Sequence, residues 1–195
     1  MNLDIFRHFD ALYPVSNNCK YHLQQRFTVN FLTKGDCLLR AGTVCTNLSF
    51  VQNGLLMGYV PQKRDKICCR FASSGDICIV PHSYFLQQPS QETIRAVEDS
   101  VVYSLARNDV ESVYQQFPEF RVLTGLYFSK AHIEAEDCLF IMRSLKPLER
   151  YEWLITHFEK YGDRISGKSW ASFLGVRPET LSKYKHQNKK PDSDL

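Results

Sequence analysis

Four side chains able to bond the edges of nucleic-acid bases stand close together near the end of this sequence. Placed at helical steps from Pro178, Glu179, Ser182, Lys183 and His186 share the side opposite Leu181 and Tyr184. A glutamate can accept from a cytosine amino group, and a lysine can donate to guanine O6 and N7. Lys168, Arg177, Thr180, Lys185, Lys189 and Lys190 surround them and suit phosphate oxygens, which position a protein without specifying sequence. What must hold these groups is written in Gly167–His186, GKSWASFLGVRPETLSKYKH. Trp170, Ala171 and Leu174 share one face of a first helix. Gly175 stops it, because glycine enters the left-handed conformation cheaply. Val176 packs back, and Pro178 suits the first position of a second helix. Leu181 and Tyr184 turn that helix's apolar edge inward. The window predicts a helix-turn-helix, the unit that lays one helix in the DNA major groove.

Charge follows the same plan. The chain of 195 residues carries 24 Lys+Arg and 21 Asp+Glu. Seven of the basic residues and only Glu179 of the acidic ones fall between Arg164 and Lys190. The remainder holds 17 basic and 20 acidic residues, a net of −3. A basic end on a mildly acidic body is the electrostatic footprint of a nucleic-acid reader.

Other chemistry is poorly supplied. The six histidines, His8, His22, His82, His132, His157 and His186, are dispersed without a His-x-His pair, so neither catalytic residues nor an enzyme is expected. Cys19, Cys37, Cys45, Cys68, Cys69, Cys78 and Cys138 form no C-x-x-C pair. Cys68 and Cys69 would point to opposite faces of a strand. No metal site and no cofactor are therefore expected. Scattered cysteines, the absence of a long apolar run and the lack of a signal pattern in Met1–Ala11 predict a reduced, cytoplasmic setting with no membrane partner.

Along the chain, Leu3–Tyr13 reads as a short amphipathic helix through Ile5, Phe6, Phe9 and Leu12. From Phe27 to Leu105 the pattern is of short strands: Phe27–Leu32, Cys37–Arg40, Leu48–Val51, Leu55–Val60, Lys66–Phe71, Ile77–Val80, Thr93–Val97 and Val101–Leu105. Glycine-centred turns between them indicate a β-sandwich or jelly roll, with Asn53-Gly54 as the clearest hairpin signal. A short helix capped by Asn108 or Asp109 follows, then a long one from Pro118 to about Ser144. Tyr127, Ala131, Glu134, Cys138, Ile141 and Leu145 recur on it at steps of four and three, as on a coiled-coil seam, and predict a homodimer. Pro147 starts a further helix with Leu148, Tyr151, Ile155 and Phe158 on one face and Gly162 as its stop.

This order resembles the Crp/Fnr family of bacterial transcription regulators. The likeness rests on LTKGDCLLRAGTVCTNLSFVQNGLLMGY, the SSGDI turn, QQPSQETIRAVEDSVVYSL and the terminal SWASFLGVRPETLSKY, and runs from about Phe27 to Lys185. It implies an α+β chain in three parts. These are a cyclic-nucleotide-binding-type jelly roll over residues 1–117, a dimerisation helix over 118–145, and a helix-turn-helix DNA-binding part over 146–195. Little chain follows the second helix of that motif, so the family's C-terminal wing is expected to be lacking. By the same resemblance, side chains at Glu179 and Lys183 meet base edges, the operator is palindromic double-stranded DNA, and RNA polymerase is a further partner. The effector pocket would involve Ile79, Val80, Ser83, Ser90, Gln91 and Arg95, between the strands and the long helix. In cyclic-AMP-binding members a Glu bonds the ribose and an Arg-Ser pair bonds the phosphate. This chain has Val80 and Ser90-Gln91 there, so a cyclic nucleotide would lack its charged partner and no response to cyclic AMP is expected. The N-terminal cysteine cluster of iron–sulfur oxygen sensors is also missing, since only Cys19 lies in that region. A second reading keeps the jelly roll as a small-molecule-binding module, its effector unnamed, with the terminal helices purely structural.

Overall fold

The computed structural model describes residues 5–63 and 65–187. Two N-terminal helices, α1 (Ile5–Leu12) and α2 (Asn17–Gln24), precede eight strands. These are β1 (Thr28–Leu32), β2 (Cys37–Leu39), β3 (Asn47–Asn53), β4 (Leu55–Pro61), β5 (Lys66–Ser73), β6 (Ile77–Cys78), β7 (Thr93–Ala96) and β8 (Ser100–Ala106). The strands form two antiparallel four-stranded sheets, ordered β1-β8-β3-β6 and β2-β7-β4-β5. A six-residue helix, α3 (Pro81–Leu86), interrupts the chain between β6 and β7.

Period-two alternation makes β3 and β8 serve two cores at once. Val51 and Val102 turn inward, against Leu56, Ala72, Ile94 and Ala96 of the facing sheet. Leu48, Phe50, Tyr103 and Leu105 turn outward, into a second core with Ile5, Phe6 and Phe9 of α1. Phe9 meets Phe50 edge to face at 4.9 Å. Covered on both faces, β3 is buried at four consecutive residues, Leu48–Val51.

Asn53-Gly54 is not a hairpin. β3 and β4 lie in different sheets, and the chain crosses between them at this point. Gly54 has φ +100°, and a Cβ there would stand 2.7 Å from the Ser100 Cα. Asn-Gly supplies positive φ, which both a hairpin turn and an inter-sheet crossover can use. Neighbouring strands β4 and β5 do pair, around a turn closed by the Gln62 amide donating to the Asp65 carbonyl at 2.9 Å.

The helices after the sheets are α4 (Arg107–Gln116), α5 (Pro118–Ser144), α6 (Pro147–His157), α7 (Gly167–Leu174) and α8 (Pro178–Gln187), with a 3₁₀ turn, Glu159–Arg164, before α7. α4 starts earlier than its expected cap. Ala106 is the N-cap and Asp109 sits in the first turn, where its charge suits the helix dipole. Helix α5 begins at Pro118 and ends at Ser144, as its proline and apolar pattern indicate. On α6 the buried residues are Tyr151 and Leu154, whereas Leu148 and Ile155 are exposed, so the inward face is rotated from the expected one.

Candidate nucleic-acid interface and effector cavity

Local chemistry builds the terminal motif. The Ser166 hydroxyl caps α7 by accepting from the Ser169 amide at 3.2 Å. Gly175 ends the helix at φ +67°, and the Val176 amide returns to the Ala171 carbonyl at 2.9 Å. This bond back into the last turn satisfies carbonyls that would otherwise be orphaned. Pro178 then opens α8. Trp170, Ala171, Leu174 and Leu181 are buried together with Tyr151, Leu154, Tyr161 and Ile165. Tyr184 packs its ring 6.0 Å from that of Tyr151.

The opposite side of α8 is open. Glu179, Ser182, Lys183 and His186 are all exposed. Arg177, just ahead of the helix, is exposed too. Thr180 and Lys185 are half-buried, and Lys185 lies along Tyr151, Leu154, Trp170 and Leu181. Lys168 makes an ion pair with Asp65 at 3.3 Å, both side chains being mostly exposed, a contact worth little in water. Lys189 and Lys190 lie outside the described residues.

The motif does not stand apart from the sheets. Ser172 donates to the Lys66 carbonyl at 2.9 Å and accepts from the Cys68 amide at 3.0 Å, fastening α7 to β5. Phe71 of β5 packs its ring 4.9 Å from Trp170 and 5.3 Å from Phe173. Arg164 grips the Glu98 carboxylate at 2.5 and 3.1 Å and donates to the Gly54 carbonyl at 3.1 Å. That guanidinium holds the Glu98 carboxyl below its ordinary range. No sequence signal marks these contacts, whose partners lie far apart in the chain.

A cavity of about 240 Å³ separates β5 and β6 from α5. Residues 69–72 and 76–79 form one wall, Tyr127, Ala131, Glu134 and Cys138 the other, and Phe158 and Phe173 close it from the side of the helix-turn-helix. Arg70 projects here. Its Nε and Nη2 bond the Glu92 carboxylate at 2.9 and 2.8 Å, and Nη1 reaches the Ile79 carbonyl at 3.3 Å. Gly58 makes room for it, since a Cβ at Gly58 would meet the Arg70 Cγ at 2.6 Å. Burial pushes the thiols of Cys78, to about 12, and Cys138, to about 11, well above their usual range.

The expected pocket residues are only partly here. Ile79 lines the cavity. Val80 is buried between the sheets. Ser83 is buried as a brace, accepting from the Cys45 amide at 2.8 Å and donating to the Gln88 carbonyl at 2.5 Å. Ser90 closes its own turn with the Glu92 backbone, and Gln91 is exposed. Arg95 lies on β7 with its guanidinium carbon 5.7 Å from the Tyr59 ring centroid. The residue that sequence reasoning missed is Arg70, one of two charges in β5, with no local mark.

The residues expected at a seam on α5 differ in their surroundings within the single chain. Tyr127 is buried in the chain's own core, and Ala131, Glu134 and Cys138 line the cavity. Ile141 faces a smaller cavity beside Trp153 and Phe173, and Leu145 is the half-buried C-cap. Ala131 and Glu134 are exposed, so the single chain covers this face only in part. The large exposed apolar residues of α5 are Val122, Leu126, Ile133, Leu139 and Phe140. Spacing identifies residues that share a face but not what covers it.

Comparison with known proteins gives this architecture its place. Residues 29–117 match the family model of the cyclic nucleotide-binding domain. The chain as a whole shares its fold with solved structures of Crp/Fnr-type proteins. FixK2 from Bradyrhizobium japonicum superposes with TM-score 0.70 at 15% identity, over 87% of this chain and 89% of its own. The c-di-GMP-responsive global regulator CLP of Xanthomonas campestris gives 0.73 at 12%, over 89% and 92%. A crp/fnr-family transcriptional regulator from Eubacterium rectale gives 0.69 at 15%, over 94% and 86%. No curated protein matches by sequence. At these identities the likeness to the solved structures is one of fold. Among the described residues no helix is long and apolar enough to cross a membrane, and no group of three or more His, Cys, Asp or Glu side chains could hold a metal.

Proposed function

We propose that the chain is a sequence-specific DNA-binding transcription regulator of the Crp/Fnr type, working in the cytoplasm as a homodimer and not as an enzyme. The observation that carries this reading is the open face of α8. Glu179, Ser182, Lys183 and His186 are exposed on a helix whose other edge is anchored by buried Leu181. These four read base edges, while Lys168, Arg177, Thr180, Lys185, Lys189 and Lys190 meet phosphates. Lys168 exchanges its weak pair with Asp65 for that contact.

Dimerisation uses α5, beside the expected seam of Tyr127, Ala131, Cys138, Ile141 and Leu145. Leu126, Ile133 and Phe140 recur at seven-residue steps, with Val122 one turn before them. Such spacing suits a two-helix seam. Ile133 and Phe140 are 57% and 65% exposed in the single chain, an apolar cost that a second copy removes. A two-fold dimer presents two α8 helices to a palindromic operator, about one turn of DNA apart. RNA polymerase is the further partner through which such a dimer acts.

The regulator does not respond to cyclic AMP. Val80 offers no bond to a ribose, and the Ser90 hydroxyl is already used by the Glu92 backbone. Arg70, whose side chain lines the cavity, is neutralised by Glu92. Selection from a random DNA pool with the full chain tests the proposal. A two-fold repeat is the expected product, and failure to enrich any sequence would overturn it.

A further inference from the structure

The turn between β4 and β5 stands against the corner of the helix-turn-helix where α7 and α8 begin. Gln62, Asp65 and Lys66 line a hollow of about 280 Å³ together with Ser166, Lys168 and Pro178. The turn is held there by the neighbouring helix. β5 is the last strand of its sheet, so one side of its backbone has no strand partner. The Ser172 hydroxyl fills that edge, donating to the Lys66 carbonyl at 2.9 Å and accepting from the Cys68 amide at 3.0 Å. Asp65, next along the turn, pairs with Lys168 at 3.3 Å. Its charge is thereby matched, and the cations on either side of it are left over. Lys63 is exposed and makes no ion pair among the described residues. Lys66 is exposed too, its Nζ 4.8 Å from the centroid of the Tyr59 ring.

We propose that the β4–β5 turn is a second, sequence-independent contact with the DNA backbone. Lys63 and Lys66 receive phosphates beside the base pairs that α8 reads. The assignment rests on the proposed function and extends the DNA interface from the terminal helices onto the sheets. A phosphate that reaches Lys168 comes within a few ångströms of Asp65, because those two side chains touch. Lys63 is two residues from Asp65, and two residues of extended chain span about 7 Å. A backbone docked at the start of α7 therefore runs past the turn. The two bonds of Ser172 and the ring contact of Phe71 with Trp170 fix the turn relative to α7, so its lysines arrive already placed. Asp65 acts in the opposite sense. Its carboxylate repels a nearby phosphate and competes with it for Lys168. The turn thus adds affinity through Lys63 and Lys66 and withholds some of it through Asp65.

Fluorescence anisotropy of the full chain tests the contact, at a series of salt concentrations. The probe is a labelled random-sequence duplex of about 40 base pairs, longer than two half-sites one turn apart. Phosphate contacts ignore sequence, so no operator is needed. Lys63→Ala should weaken binding about tenfold near 0.1 M salt and lower the slope of log K against log salt by about one for each chain bound. Asp65→Asn should tighten binding about two- to fivefold. A turn that only braces α7 predicts a loss there instead. Lys20→Ala removes the same charge from α2, which packs on α4, and should leave the slope unchanged. A salt slope unaltered in Lys63→Ala, or weaker binding by Asp65→Asn, would overturn the assignment. A wild-type chain that binds no duplex at any salt overturns this contact and the proposed function together. A wild type that binds while Lys63→Ala binds equally well overturns the contact alone.

Discussion

Replacing Trp170 with alanine asks how firmly the terminal helices are joined to the sheets. Trp170 is buried, with ring neighbours Phe71 at 4.9 Å, Phe158 at 5.9 Å, Phe173 at 6.1 Å and Tyr161 at 6.4 Å. Truncating a buried tryptophan costs about 3–5 kcal/mol, from lost burial and the cavity left behind. At roughly 2–4 °C per kcal/mol for a chain of this size, Tm should fall by about 6–20 °C. Phe71 belongs to β5 and Trp170 to α7, so a double-mutant cycle with Phe71→Ala isolates the link between them. A coupling of about 0.5–1.5 kcal/mol is expected for such a ring pair. The chain has two tryptophans, so emission from Trp153 remains in Trp170→Ala and can be followed, beside circular dichroism, during denaturant unfolding. A drop below about 1 kcal/mol in Trp170→Ala, or a coupling near zero, would refute the shared-core reasoning.

Ile133→Glu places a charge in the proposed seam of α5 and should give monomers in light scattering, with the monomer fold intact because the residue is exposed in the single chain. Glu179→Ala and Lys183→Ala should each lose about 1–3 kcal/mol of discrimination between selected and scrambled DNA, measured by competition gel shift. Gly54→Ala should destabilise strongly, by thermal melt, because the residue combines φ +100° with backbone contact to Ser100. Arg164 depresses the Glu98 carboxyl below its ordinary value of 4.5, so the pair stabilises the fold above that pH and the contribution is lost as pH falls through the lowered range. Glu98→Gln should accordingly flatten the acid limb of a stability-versus-pH curve.

The parts of this molecule legible in its sequence are those whose cause is local. Gly175 and Pro178 mark the turn of the terminal motif within a few residues, and Pro118 marks the start of α5. The eight strands follow from short apolar runs between turn residues. α2 escaped notice because only Cys19 and Leu23 of its eight residues are buried. α3 escaped because its six residues are too few to show a period. Partner choice was the harder loss. The same Asn-Gly pair serves a hairpin or a crossover, and helical spacing does not say which neighbour packs on a face. The cavity draws its walls from β5 and from α5 some 60 residues later, a meeting that only the sheet order decides.

One feature limits how this architecture can be cut and pasted. Leu55, fully buried, is a strand residue that belongs to the apolar cluster of the terminal helices, and Phe71 and Val97 pack on the same cluster. The helix-turn-helix therefore borrows part of its interior from the sheets. A chimera that transplants residues 146–195 onto another sensor would arrive with Trp170 and Phe173 uncovered. The β-domain left behind would in turn present Leu55 and Phe71 to solvent as an adhesive patch. A graft keeps both halves soluble only if the recipient scaffold supplies an aromatic at the position of Phe71 and a strand edge able to receive the hydroxyl of Ser172.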